Sequence, residues 1–300
     1  MSITSALNSA MTGLTAAGRS TSVVSENLSN VLPPGYSRRS LALTSAGDGF
    51  SGVKVGHVQR INAPALQSSV RSANSEVGVA EVKSAFFGRM TELVGSADDP
   101  YSITQRLTDF DSGLIEVISR PDSGPRLNDL AIQAEELVRS IADAAEGLRN
   151  QRTAADRAID VQVDTVNQSL EKLQKLNAKI AISQSTGSDS ASLLDQRDLL
   201  IDEVNKIIPV KVVNRDRGQV ALFSEGGAVL LDGQAAELSF DGKADTLPYM
   251  TLGNGLLSGL QINGIDVATG PGGPIRGGTL AAQFEVRDVL TVEAQEDLDA

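Results

Sequence analysis

From Arg126 to about Gln184 the chain carries no proline and only one glycine, Gly147, and its apolar residues keep a helical spacing throughout. Leu130, Leu137, Ile141 and Leu148 lead into Ile159, Val163, Val166, Leu170, Leu173 and Ile180, which mark one continuous stripe. At about 1.5 Å per residue this helix would run roughly 80 to 90 Å. A rod of that length constrains everything else, because a compact enzyme of this size has no use for one and the remaining elements must line up along it. The charges on its other face, such as Glu171 and Lys175 at i and i+4, read as solvated surface.

Shorter elements flank the rod. Asn62 as cap and Pro64 near the first turn open a helix through Leu66, Val70, Ala73, Val77 and Ala80 toward Phe86, Phe87 and Leu93. Gly95 to Pro100 breaks it, and Ser102-Ile-Thr-Gln105 has capping-box spacing ahead of Leu107, Phe110, Leu114, Ile115 and Ile118. After a turn at 186–190, residues 191–208 predict another helix, closed by Pro209. The period then shortens to that of strands. Apolar runs beginning at Val210, Val220, Val229 and Leu238 are divided by Arg217-Gly218, Gly226-Gly227, Asp232-Gly233 and Asp241-Gly242, and Asn254-Gly255 and Asn263-Gly264 follow. A helix restarts at Gly277-Gly278-Thr-Leu280, and its Phe284-Glu-Val-Arg287-Asp288 echoes Arg197-Asp198. Leu280, Phe284 and Val289 are expected to meet the helix around Leu194 and Ile201, with Asp195, Arg197, Asp198, Arg287 and Asp288 as structural pairing residues between the two flanks. Residue 300 falls inside this helix with nothing to end it, so a continuation is expected.

The N-terminus carries a different signal. Ile3, Leu7, Ala10, Leu14, Ala17, Thr21, Val24 and Leu28 alternate steps of four and three, the narrow seam of a coiled-coil helix, and no other stretch offers it a mate. The same pattern suits an amphipathic helix lying on its own domain. Gly13, Gly18 and many Ser and Thr give poor helix propensity, so without a partner this segment is expected to be mostly unfolded. Pro33 and Pro34 end it and Gly35 allows a turn. Beyond, Ser40-Leu-Ala-Leu-Thr and Gly52-Val-Lys-Val-Gly-His-Val-Gln alternate as a short β arm, separated by Gly47, Gly49 and Gly52.

The resulting class is α+β: an N-terminal assembly helix and corner (1–39), an elongated coiled-coil-like helical body (40–208, with the arm at 40–60), an inserted, mostly β domain (209–272), and a helix returning to the body (273–300).

Asn27, Asn30, Pro34, Gly35 and Tyr36 resemble the Asn-x-x-Asn and Thr-Pro-Gly-Tyr pattern that follows the first helix in bacterial flagellar rod, hook and hook-associated proteins, although Leu32 and Pro33 depart from it. Leu194-Asp195-Gln-Arg197-Asp198 is similar to the Leu-Asp-Gln-Arg-Asp signature of the flagellar hook-associated protein 1 family. That resemblance implies a non-enzymatic subunit polymerising where hook meets filament, outside the cell. Ile3, Leu7, Ala10, Leu14, Ala17, Val24, Asn27, Leu28, Asn30, Pro34, Gly35 and Tyr36 would then be the assembly interface. It implies as partners other copies, the hook protein, the next hook-associated protein, and an export chaperone acting through a further C-terminal part. Another axial subunit, of hook or distal rod, is the nearer alternative.

Composition narrows the chemistry. The chain has no Cys and no Trp, and His57 is its only histidine, so thiol chemistry and a zinc finger are excluded. Net charge is −12, but residues 1–60 hold five Arg or Lys against Glu26 and Asp48, which leaves a strongly acidic remainder and argues against nucleic acid. Asp195, Asp198 and Asp202 crowd one helix, where salt bridges explain them better than a bound cation. Gly270-Pro-Gly272-Gly273-Pro-Ile275 lacks the third glycine of a dinucleotide loop. No cofactor, metal or catalytic set is expected. The first 18 residues lack the basic start and solid apolar core of a signal peptide, so export without a cleaved signal is expected. The remaining alternative, a secreted glycan-binding or enzymatic β module on a coiled-coil stalk, would want clustered aromatics, and 209–272 offers only Phe223, Phe240 and Tyr249.

Overall fold

The computed structural model describes residues 3–32, 35–45, 52–96 and 98–299. Gly47, Gly49, Pro33, Pro34 and Ala300 lie outside them. The chain is α+β. Helix α1 (Ile3–Ser29) is followed by the antiparallel pair β1 (Arg39–Ser45) and β2 (Val53–Arg60), then by α2 (Pro64–Val94), α3 (Ile103–Ser119), α4 (Gly124–Ser185) and α5 (Ala191–Ile207). Local chemistry sets the ends of these helices. Pro64 opens α2, Gly95 at φ 84° closes it, and the Ser102 hydroxyl accepts the Gln105 N–H at 3.2 Å to cap α3. At 62 residues, α4 is roughly 90 Å long.

Two small sheets lean on the second half of α4. One is a four-stranded antiparallel meander, β3 (Val210–Asn214), β4 (Val220–Ser224), β5 (Val229–Asp232) and β6 (Gln234–Ala235); the other is β7 (Leu238–Ser239), β8 (Leu260–Ile262) and β9 (Ile265–Val267). Asn263 and Gly264 both take positive φ, 52° and 77°, in the turn between β8 and β9, the backbone a two-residue hairpin requires. Asp241-Gly242 and Asn254-Gly255 do not close hairpins. They sit in the long connection between β7 and β8, whose flanking residues lack the alternation that would pair them as strands.

The main core lies between α4, α5, both sheets and helix α6 (Gly278–Glu285). Ile159, Val163, Val166, Leu170 and Leu173 from α4 meet Ile201 and Val204 from α5, Leu222, Leu231 and Leu260 from the strands, and Leu280 and Phe284 from α6. Val289, expected to join them, is 44% exposed, because α6 passes through one π-helical turn (Val286–Leu290) before α7 (Thr291–Asp299), and the wider turn shifts the following face.

Asparagines replace strand neighbours where sheet meets helix. Asn177 on α4 donates to the Val220 carbonyl at 2.8 Å and accepts its N–H at 3.2 Å, and Asn167 does the same for Leu238 at 2.8 and 2.9 Å. Each side-chain amide satisfies a backbone pair that would otherwise be buried unpaired.

The connection between β7 and β8 is held by two arginines. Arg152 on α4 donates to the carbonyls of Leu247, Pro248 and Met250, and its Nε to that of Arg287. Arg287, in the π turn and fully buried, donates to Asp156 at 2.7 Å, to both oxygens of Asp288 and to the Ser258 carbonyl, with Phe240 and Phe284 against its guanidinium. Burial opposes the charge, but Asp288 and Asp156 more than offset it and hold the guanidinium pKa above the usual arginine value. Arg287 and Asp288 therefore tie α6 to α4 and to the loop, not to Arg197-Asp198 as the repeated sequence suggested.

Candidate assembly site

Helix α1 packs on the β1–β2 hairpin through its small residues. Ala16 and Val23 are its buried side chains, the Thr12 hydroxyl accepts the Val53 N–H at 3.4 Å, and a Cβ on Gly52 would lie 2.7 Å from Thr12 Oγ1. Sequence propensity alone leads to an unfolded segment here. The structure has a helix instead, because the hairpin supplies tertiary contacts that isolated propensity does not count.

Docked this way, the helix turns its seam outward. Ile3 is 90%, Leu14 76% and Leu28 74% exposed, and Leu7, Ala10, Ala17, Thr21 and Val24 are exposed with them. A row of large apolar side chains at heptad spacing, held in water on a fixed helix, is an unfilled half of a coiled coil.

The corner after α1 is built on Asn27. Its side chain donates to the Arg39 carbonyl at 2.9 Å and accepts from the Arg39 N–H at 2.8 Å and the Tyr36 hydroxyl at 2.9 Å. Burial, the leading cause, raises the Tyr36 pKa, so the hydroxyl stays a donor. Asn30 donates to the Glu26 carbonyl at 2.9 Å. Gly35 takes φ 86° and lies against Leu199, where an added Cβ would come within 2.3 Å of the Leu199 side chain, so both conformation and space demand glycine. Pro34 lies outside the described residues.

Through this corner the two sequence motifs meet. The Asp195 carboxylate accepts the Ser37 N–H at 3.3 Å and faces Arg39 at 3.2 Å and Arg60 at 2.9 Å. Arg60 also bonds Asp198 at 2.7 Å and the Ser37 hydroxyl at 2.8 Å, while Arg71 on α2 bonds Asp202 at 2.6 Å. With Glu26 on Arg39 at one end, these charges alternate along one face of α5. The Asp195, Asp198 and Asp202 carboxylates are thus engaged by arginines. The Arg60 Nε contact to Asp195 is a close ion pair without hydrogen-bond alignment, and the paired Nη2 carries the directional bond.

Arg197 points away from this face, to the Gly218 carbonyl at 2.6 Å in the β3–β4 turn, with its Nε unpartnered. Burial lowers its pKa. The expectation that Arg197 joins the flanking helices gives way to a bond between α5 and the first β hairpin, since around the helix position 197 is turned about 160° from 195 and about 100° from 198. Replacing it by alanine is expected to cost about 1–3 kcal/mol in urea denaturation, whereas a loss below about 0.5 kcal/mol would mean that the bond contributes nothing.

Sequence reading missed Arg39, Arg60, Arg71, Arg152 and Asp156. For the pair on α4 a signal existed. Arg152, Asp156 and Asn177 occupy stripe positions in the four-and-three rhythm that includes Ile159, Val163, Leu173 and Ile180, and a polar residue in such a stripe announces a buried partner.

Residues 87–300, which include α4 and the strand region docked on it, match the model of the flagellar hook-associated protein FlgK helical domain. The chain belongs to the FlgK family. Flagellar hook-associated protein 1 of Salmonella typhimurium is 28% identical over 243 residues, 78% of this chain and 44% of its own length. That of Bacillus subtilis is 25% identical over 240 residues, 75% of this chain and 47% of its own. The chain spans about half the length of these FlgK relatives. The structure of the flagellar hook junction protein FlgK from Burkholderia pseudomallei shares the fold at a TM-score of 0.56 and 19% identity, covering 75% of this chain and 39% of that one. Among the described residues no helix is long and apolar enough to cross a membrane.

Proposed function

We propose that this FlgK-family chain is a structural, non-enzymatic subunit of the bacterial flagellum that polymerises at the hook–filament junction, outside the cell. The observation that carries the reading is the exposed seam of α1, held outward by the hairpin behind it. Assembly buries what folding leaves in water. In this reading the seam pairs in the inner layer of the tube, α4 and its neighbours form the wall, and the strands of residues 209–272, which share the core of that wall, face outward. Its neighbours are further copies, the hook protein and the next hook-associated protein, and the whole protein reaches them by export without a cleaved signal, assisted by a chaperone. A glycan-binding reading of the strand region has less support, because Phe240 is turned onto Arg287 and Phe223 toward Arg215, and only Tyr249 stands free for a sugar.

Electron microscopy of purified flagella carrying the labelled full-length protein tests the proposal. A single labelled band between hook and filament is expected. Label along the hook or rod would assign the chain to another axial position, and label absent from flagella would overturn the reading.

A further inference from the structure

The joint between the N-terminal unit and the rest of the molecule is made of charge. No described residue from 3 to 60 contributes to either apolar core, which draw on α2, α4 and α5 and on the elements after them. Helix α1 and the hairpin are tied to each other by Ala16, Val23, Thr12 and the Asn27 corner. The unit meets the body through Arg39 and Arg60 on Asp195 and Asp198, the Ser37 N–H on Asp195, and Gly35 against Leu199. Its covalent connection is the non-helical stretch at 61–63, directly after β2.

We propose that this joint is an ionic latch with two settings: α1 and its hairpin are docked on α5 while Arg39 and Arg60 hold Asp195 and Asp198, and swing as one rigid piece about residues 61–63 when those contacts open. The arrangement has what a hinge of this kind requires. Each side keeps its own internal contacts when the latch is open, the hinge is short, and the holding contacts are few and directional. The body's own share of the ladder, Arg71 on Asp198 and Asp202, stays in place in both settings, so of the two opened carboxylates Asp198 keeps a cation and Asp195 exchanges its arginines for water. Release returns the Arg60 guanidinium, whose side chain is 6% exposed when docked, to water together with Arg39 and Asp195, which offsets the lost pairing. The angle of α1 to the body then depends on ionic strength. The latch holds whatever the chain assembles into.

The absence of cysteine allows a direct test. Spin labels on Ser22→Cys of α1 and Lys175→Cys of α4, both exposed positions, report the angle as a distance distribution by pulsed electron spin resonance. At low salt one narrow distance is expected. At about 1 M salt, where the screening length shrinks to about 3 Å, a second, displaced population is expected to rise. In Asp195→Asn/Asp198→Asn it should be at least roughly tenfold more populated than in the parent at low salt, as loss of partly buried ion-pair partners implies. Asp202→Asn, confined to the body, should leave the narrow distance unchanged. Should the double variant fail to fold by circular dichroism, the salt series on the parent chain decides alone. One narrow distance at every salt concentration, or a folded double variant with the parent distribution, would overturn the latch.

Discussion

Replacing Asp156 by alanine is expected to lower the stability of the helical body by about 2–4 kcal/mol, because it takes one of two carboxylates from a buried guanidinium and leaves a buried backbone donor unpaired. The Asp156 side chain is 1% and that of Arg287 0% exposed, and the carboxylate also accepts the Lys243 N–H at 2.6 Å. Loss of Asp156 therefore leaves Arg287 with Asp288 alone as its carboxylate and unpairs a backbone donor, in the place where α4, α6 and the loop between β7 and β8 meet. Guanidinium denaturation read by circular dichroism measures the loss. Replacing both partners by apolar residues, Asp156→Leu with Arg287→Met, is expected to recover part of it, since the buried guanidinium goes with its partner and Asp288, at 18% exposure, reaches water. A loss below about 1 kcal/mol for Asp156→Ala would mean that water reaches the pair.

Deleting residues 2–30 is expected to abolish swimming in a strain complemented with the full-length protein so altered, while the body keeps its cooperative melt. Neither apolar core contains a residue of α1, so the deletion removes no core contact. What it removes is the seam and the Asn27 corner. Thermal melting of the purified deletion beside a soft-agar motility assay separates the two effects. Unchanged motility would sink the assembly role of α1; loss of the melt would instead make α1 a part of the fold.

Much of the fold was legible because its signals are local. Proline and glycine placement gave the rod as Arg126 to about Gln184 against the observed Gly124–Ser185, and the Ser102 cap was readable from four residues. The seam was readable too, since a heptad pattern needs no knowledge of its neighbours. The assembly of the corner was not. Asp195 meets Arg39 and Arg60 across well over a hundred residues, and nothing local distinguishes a carboxylate that will receive arginines from one left in water. Facing was lost for the same reason. The Arg197 and Arg287 repeats look alike in sequence, yet one lies on the strand side of α5 and the other in a π turn that rotates its helix. The small residues of α1 were read as weak helix formers, which they are; that they are also the surface on which the hairpin docks is visible only once the hairpin has a place.

The central claim is that the α1 seam stands open in the free subunit and is covered in the assembled flagellum. Thiol labelling of Leu14→Cys in the full-length protein tests it directly, because residues 1–300 contain no cysteine to compete and Leu14 is 76% exposed. Rapid reaction with a maleimide is expected in the soluble subunit and strong protection in isolated flagella, while Glu171→Cys on the outer face of α4 reacts rapidly in both. Equal reactivity of Leu14→Cys in subunit and flagellum would contradict the account.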